Sequence, residues 1–225
     1  ARMTINTAVL KAVLWDMDGV IVDTFDGHYR AWQRMFKELE HPFTLEDFRR
    51  TFGMNNYNIL KSLLPRSLTS EEVQEIGDRK EAYYRDFVRG NLSLLPGVEN
   101  WLRLFAEKGI LQAVGSSAPK ANIDEHIDEL GIRGWFTAQV SGEKLAGKPD
   151  PAVFLLAAER LGVEPVQCLV IEDGVAGVEA AKRAGMKCVA VLTTNPAEAL
   201  AGADVVVKDL THFTGEMLEN LFLTH

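Results

Sequence analysis

Past Pro96-Gly97 the chain alternates between short apolar runs and amphipathic stretches, and this alternation constrains its fold more than any other feature. Runs at 110–114, 137–140, 168–171, 187–192 and 203–207 read as strands. Apolar residues at helical spacing mark 98–108, 122–130, 152–161 and 177–184, with a short helix near 197–200 and a last one at about 214–222. Strands that alternate with helices form a parallel sheet covered on both faces.

The start of the chain is different. Residues 11–15 read as one buried strand, and the chain from 26 to 90 then carries helical signals only. Within 26–39, Tyr29, Trp32, Met35, Phe36 and Leu39 recur at helical spacing. Further helices are expected at 45–52, 58–64 and 69–88. Pro65 stops the third, Ser70 with Glu71-Glu72 starts the fourth, and Gly90-Asn91 ends it. The expected fold is therefore α/β: a doubly wound, Rossmann-like parallel-sheet core from residues 1–25 and 91–225, with an all-helical cap domain, 26–90, inserted after the first strand.

A chain of 225 residues can bury the core this requires. A net charge of -8 argues against a nucleic-acid partner, which would need a basic face. It leaves room for an anionic substrate, because a bound cation can reverse the local field. Cys168 and Cys188 both sit in apolar strand-like runs, which favours reduced core thiols and a cytoplasmic compartment. The first ten residues lack the pattern of a secretory leader, and no apolar stretch reaches the length of a membrane span. A monomer with no membrane partner is expected.

In doubly wound folds ligands bind beyond the carboxyl ends of the strands. Four polar signals fall there. Asp16-Met17-Asp18-Gly19 follows the first strand, and residues two apart in an extended chain point the same way, so both aspartates can aim at one point. Carboxylates that close repel unless a cation or a shared proton relieves them, and oxygen ligands suit magnesium. Ser116-Ser117 follows strand 110–114, Lys148 follows 137–140, and Glu172-Asp173 follows 168–171.

Each signal has a plainer alternative. Aspartates at a strand end can simply cap a turn, Ser116-Ser117 can cap the next helix, and Glu172-Asp173-Gly174 can be an ordinary turn. Lys148 can be a surface lysine and His28 a packing histidine. The segment from Gly142 to Lys148 has the spacing of a P-loop, but Pro149 stands where a helix-opening Ser or Thr is needed, so a nucleotide-triphosphate loop is rejected.

Taken in order, Asp16-Met17-Asp18-Gly19, Ser116, Lys148-Pro149 and Glu172-Asp173 resemble the motifs of the haloacid dehalogenase superfamily. The likeness extends over essentially the whole chain. The resemblance implies Asp16 as nucleophile, Asp18 as general acid and base, Ser116 as phosphate-binding hydroxyl and Lys148 as the neutralising lysine. It implies Mg2+ as cofactor, held by Asp16, by the backbone carbonyl of Asp18 and by the acidic motif Glu172-Asp173, with Asp16 and Asp173 bridged by the ion. Asp23-Thr24, His28, Arg30-Ala31-Trp32 and Lys80 further resemble the branch of beta-phosphoglucomutase and small sugar-phosphate phosphatases. On that likeness Ser117, His28, Gly53, Met54, Asn56, Lys80 and Asn122 are expected to bind substrate.

One departure matters. The mutases of that branch bring an arginine near the position of Asn56 to hold a distal phosphate, and here an amide stands there. Arg49, Arg50 or Lys61 are candidates to compensate. The expected activity is magnesium-dependent hydrolysis of a small phosphorylated metabolite, with a phosphosugar mutase as the alternative. A non-catalytic phosphosugar-binding module would have no need of Asp18 beside Asp16. A dehalogenase would leave Glu172-Asp173 unexplained.

Overall fold

A computed structural model describes residue 6 and residues 8–223. The reading of the first ten residues as carrying no leader falls partly outside these. Six parallel strands form one sheet in the order β3-β2-β1-β4-β5-β6. They are β1 (Ala12–Trp15), β2 (Leu111–Ser116), β3 (Ala138–Ser141), β4 (Cys168–Glu172), β5 (Lys187–Val191) and β6 (Val205–Val207). β1 lies at the centre, with Trp15 level with Val114 of β2 and Ile171 of β4. The order reverses there, where a doubly wound sheet opens a crevice.

The strands read as continuous apolar runs because both faces are covered. Val13, Trp15, Val114, Leu169, Ile171 and Val189 pack on one face, against Val98, Leu102 and Phe105 of α5 (Val98–Glu107). Leu14, Ala113, Val170, Cys188 and Ala190 pack on the other, against Val153, Phe154 and Ala157 of α7 (Ala152–Leu161). The period-2 alternation of the pleat sorts neighbouring residues onto opposite faces. Both cysteines are buried and free. No helix among the described residues is long and apolar enough to cross a membrane.

Four helices interrupt the α/β pattern after β1: α1 (Phe25–Glu38), α2 (Leu45–Thr51), α3 (Asn56–Leu63) and α4 (Ser70–Val88). They enclose a third apolar cluster around Trp32, Met35, Phe36, Phe48 and Leu60. α1 packs along α4. The two passages between this block and the sheet run side by side, since Val22 bridges Leu94 and the Leu95 amide donates to the Ile21 carbonyl at 2.9 Å.

The expected element boundaries shift locally, and hydrogen-bonded caps explain the shifts. Thr69, not Ser70, caps α4, in a reciprocal capping box with Glu72. α3 starts at Asn56 rather than 58, because the Asn55 side chain accepts from the Asn58 amide. The segment 197–200 is a 3-10 turn, and β6 is shorter than the run 203–207. The remaining helices are α6 (Lys120–Glu129), α8 (Val175–Arg183) and α9 (Gly215–Leu221).

One buried polar pair pins β1 to β2 and α5. The Trp15 indole Nε1 donates to Gln112 Oε1 at 3.0 Å, and Gln112 Nε2 donates to the Leu102 carbonyl at 2.9 Å. Gln112→Leu keeps the volume but strands the buried indole N–H of Trp15 and removes the tie to α5. We expect it to destabilise the fold by about 1–3 kcal/mol, measured as a lower urea midpoint with an unchanged m-value.

Candidate active site

The sheet order brings three strand ends together. Asp16 follows β1 directly, and its amide donates to the Ile171 carbonyl of β4 at 3.0 Å. Ser116 closes β2, and Glu172 closes β4. Lys148 arrives from the loop after β3 and is buried against the Phe154 ring, 4.8 Å from its centroid. Its Nζ donates to Asp16 Oδ1 at 3.0 Å, to Glu172 Oε1 at 2.6 Å and to the Gly115 carbonyl at 3.4 Å. Lys148 is thus held inward and is not a surface lysine. Helix α7 starts only at Ala152, beyond the residue that a P-loop would place at a helix start.

Asp16, Glu172 and Asp173 are all buried, and each offers an oxygen within 4.8 Å of the others. One lysine faces three carboxylates. Burial first, and then the charge of Glu172, push both Asp16 and Asp173 upward, and Lys148 offsets this only in part. Burial would lower Lys148, but the charges of Asp16 and Glu172 outweigh it and raise the ammonium well above its ordinary range.

An all-oxygen, net-negative cluster of this kind fits a hard divalent cation. Glu172 has little left to offer one. Its Oε1 is taken by Lys148, and its Oε2 accepts from the Asp173 and Gly174 amides at 2.9 and 3.0 Å. Asp173 Oδ2 accepts from Thr194 Oγ1 at 2.5 Å, and its carbonyl accepts from Asn195 Nδ2 at 2.9 Å. Glu172 keeps at most one acceptor site, on Oε1, whereas Asp16 and Asp173 each keep a whole carboxylate oxygen with no hydrogen bond among the described residues, so these two are the ligands most open to a cation.

Two glycines make room for this cluster. A Cβ on Gly177, in the first turn of α8, would overlap the Glu172 carboxylate. A Cβ on Gly19 would overlap that of Asp173, and Gly19 also has φ +80°.

Asp18 departs from the sequence expectation. Its carboxylate does not join Asp16 at one point and is not part of the acidic cluster. The extended backbone ends at Asp16: the Ile21 amide donates to the Met17 carbonyl and the Gly19 amide to the Val22 carbonyl, so a turn replaces the alternation that would have aligned the two. Asp18 Oδ1 instead accepts from Thr24 Oγ1 at 2.5 Å and meets His28 Nε2 at 2.9 Å. Burial alone would raise this carboxyl, but His28 and Thr24 outweigh it and hold it well below the usual range. The two aspartates thus sit in environments that push them in opposite directions.

A polar chain ties Asp18 to the cap. Lys80 Nζ lies 2.8 Å from His28 Nδ1 and 2.8 Å from Glu81 Oε1. The lysine can only donate, so His28 presents Nε2–H to Asp18. Tyr84 stacks on His28 at 3.7 Å, and its hydroxyl meets Nε2 of His126, on α6, at 2.8 Å. His126 Nδ1 is buried with no partner among the described residues, and burial lowers its pKa. The cheaper assignment leaves a lone pair there and gives the proton to Nε2, which then donates to Tyr84.

Between cap and core lies a cleft. Asp16, Asp18, Ser116 and Ser117 line its core side, and His28, Gly53, Met54, Asn56 and Lys80 line its cap side. Ser116 and Ser117 are not helix caps, because α6 is led by Pro119 and has no side-chain cap; Ser116 Oγ accepts from the Ala118 amide at 3.1 Å. Asn122 is placed differently from the other expected substrate residues. It is buried outside the lining, donating to Glu81 Oε2 at 2.6 Å and accepting from Arg85 at 3.0 Å.

Sequence reasoning missed Glu81, Tyr84, His126 and Thr194. Glu81 and Tyr84 share a buried stripe with Gly77 and Lys80 at helical spacing, and a Lys-Glu pair on such a stripe was the available signal. Thr194 lies just past β5, next to β4, where the strand-end rule also applies.

A family model of haloacid dehalogenase-like hydrolases matches residues 10–185. The chain is 35% identical over 217 residues to beta-phosphoglucomutase of Bacillus subtilis, covering 93% of this chain and 94% of that protein. It is 32% identical over 208 residues to the phosphorylated carbohydrates phosphatase of Thermotoga maritima, covering 88% and 94%. A crystal structure of beta-phosphoglucomutase from Clostridium difficile superposes with a TM-score of 0.85 at 27% identity, covering 95% of this chain and 97% of that one. The family model spans most of the chain and relatives above 30% identity cover nearly all of it, so the chain belongs to the haloacid dehalogenase-like hydrolases.

Proposed function

We propose that the protein is a magnesium-dependent phosphatase that hydrolyses a small sugar phosphate through an aspartyl-phosphate intermediate. The observation that carries this reading is the division of labour between Asp16 and Asp18. Lys148 fixes one oxygen of Asp16 and leaves the other for attack on phosphorus. A divalent cation held by Asp16 and Asp173 would neutralise charge on the phosphate. For the first step Asp18 must carry a proton, taken from solvent before the cleft closes; it gives that proton to the leaving sugar oxygen as the ester bond breaks and is left ionised. It then takes one from the water that hydrolyses the aspartyl phosphate. Held by Thr24 and His28, Asp18 stands in its base form, which is the form the second step needs. Ser116, Ser117 and nearby amides suit the equatorial phosphate oxygens, and the cap excludes water.

A mutase is the second reading, favoured by the likeness to beta-phosphoglucomutase. A mutase must also grip a distal phosphate. Asn56 is engaged with Glu81 at 3.0 Å, and none of the candidate replacements lines the cleft. Arg49 is exposed, Arg50 pairs with Asp47, and Lys61 lies over the Tyr57 ring. Product analysis separates the two readings. With glucose 1-phosphate, magnesium and a trace of glucose 1,6-bisphosphate, we expect free phosphate as the main product. Rapid formation of glucose 6-phosphate without phosphate release would make the protein a mutase. Chelation should abolish turnover and excess magnesium restore it; full turnover after exhaustive chelation would remove the metal from the scheme.

Asp16→Asn should lower the rate by at least about a hundredfold, or roughly 2.7 kcal/mol in the barrier. Asp16 is buried rather than on the surface, but the change removes one of three crowded carboxylates, so circular dichroism should still show a folded protein. Gly177→Ala should displace Glu172 and loosen Lys148 without touching substrate. We expect kcat to fall by about ten- to a hundredfold; an unchanged kcat would mean that Glu172 does not position Lys148.

A further inference from the structure

The cap end of the cleft holds a buried ion pair that the phosphate chemistry does not use. Glu81 is 3% exposed, borders the cleft and pairs with its neighbour Lys80. Oε1 accepts from Lys80 Nζ and from Asn56 Nδ2, and Oε2 accepts from Asn122 Nδ2. A carboxylate offers about four acceptor sites. Three are filled, and the fourth is free on Oε2.

Lys80 is the one lysine or arginine among the described residues that line this cleft. Glu81 cancels its charge at 2.8 Å, so the cap end presents no uncompensated cation. A second phosphate or a carboxylate on the leaving group would meet a buried carboxylate there. A hydroxyl group would meet Glu81, which borders the cleft and keeps one acceptor site with no donor among the described residues. Trp32 and Phe52 line the same end and suit the C–H face of a sugar or polyol.

We infer that Glu81 is a specificity-determining residue, which restricts substrates to phosphomonoesters whose leaving group is uncharged and polyhydroxylated. The inference rests on the phosphatase reading above and narrows it. Glu81 acts in two ways: it neutralises the cation that would hold a second anion, and it accepts a hydrogen bond from the leaving group. Neither requires Glu81 to touch the reacting phosphorus.

The test uses the full chain with magnesium and compares kcat/KM for glucose 6-phosphate and sorbitol 6-phosphate with that for 6-phosphogluconate and glucose 1,6-bisphosphate. In the unmodified protein the neutral substrates should be favoured by about 30-fold or more. Glu81→Gln keeps the shape but frees the charge of Lys80. It should shrink that preference at least about tenfold, mostly through a lower KM for the anionic substrates. p-Nitrophenyl phosphate reports whether the core chemistry of the variant survives. If the unmodified protein hydrolyses neutral and anionic substrates equally well, the inference falls while the phosphatase reading stands; this comparison needs no variant. The inference also falls, and the phosphatase reading again stands, if Glu81→Gln turns over the aryl ester but leaves the preference unchanged. Turnover of the aryl ester with no sugar phosphate accepted would overturn the sugar-phosphate reading and this inference with it.

Discussion

The site depends on one imbalance of charge: a single buried lysine facing three buried carboxylates. Burying an ion costs several kcal/mol even after relaxation, and only close partners and hydrogen bonds offset it. Lys148 meets this demand for Glu172 and for one oxygen of Asp16. Asp173 is left to Thr194 and to whatever cation enters. The fold makes the imbalance possible. β1 lies between β2 and β4, so strand ends distant in sequence converge, and the apolar sheet beneath them is already well packed. Glycines at 19 and 177 are the local consequence, because any side chain there would occupy the space of a carboxylate.

Two aspartates one residue apart are given opposite characters by their surroundings. Asp16 is pushed up, first by burial and then by the charge of Glu172, while Asp18 sits against His28 and Thr24 and is pushed down. The partners of Asp18 belong to the start of the inserted helices, whereas the side-chain partner of Asp16, Lys148, comes from the loop after β3. Asp16 therefore takes its setting from the core alone. Asp18 depends on how α1 and α4 sit over it.

Much of the architecture was legible in the sequence because it rests on periodicity. Apolar runs covered on both faces and amphipathic stretches between them are enough to specify a parallel sheet, and the strand-end rule located Asp16, Ser116, Lys148 and Glu172-Asp173. The orientation of Asp18 was not legible. It is set by turn hydrogen bonds between Met17 and Val22, and no strand period predicts those. The place of Asn122 was hidden for a related reason. Its helical position was visible, but its partners Glu81 and Arg85 lie on α4, about forty residues away in the chain. Contacts between two helices of different domains leave no periodic trace in either one.

Those same contacts give the cap a second role. Glu81 receives Asn122 from α6, and Tyr84, one turn further along α4, meets His126 one turn further along α6. The two helices are thus joined at matched spacing by buried polar pairs. Polar pairs hold a docked geometry more selectively than apolar contacts, because a shift of about one ångström breaks a hydrogen bond but barely changes an apolar contact. Lys80, between these anchors in space, reaches His28 and through it Asp18. α4 therefore carries both the residue proposed to meet the leaving group and the lysine that sets the imidazole of His28 against Asp18.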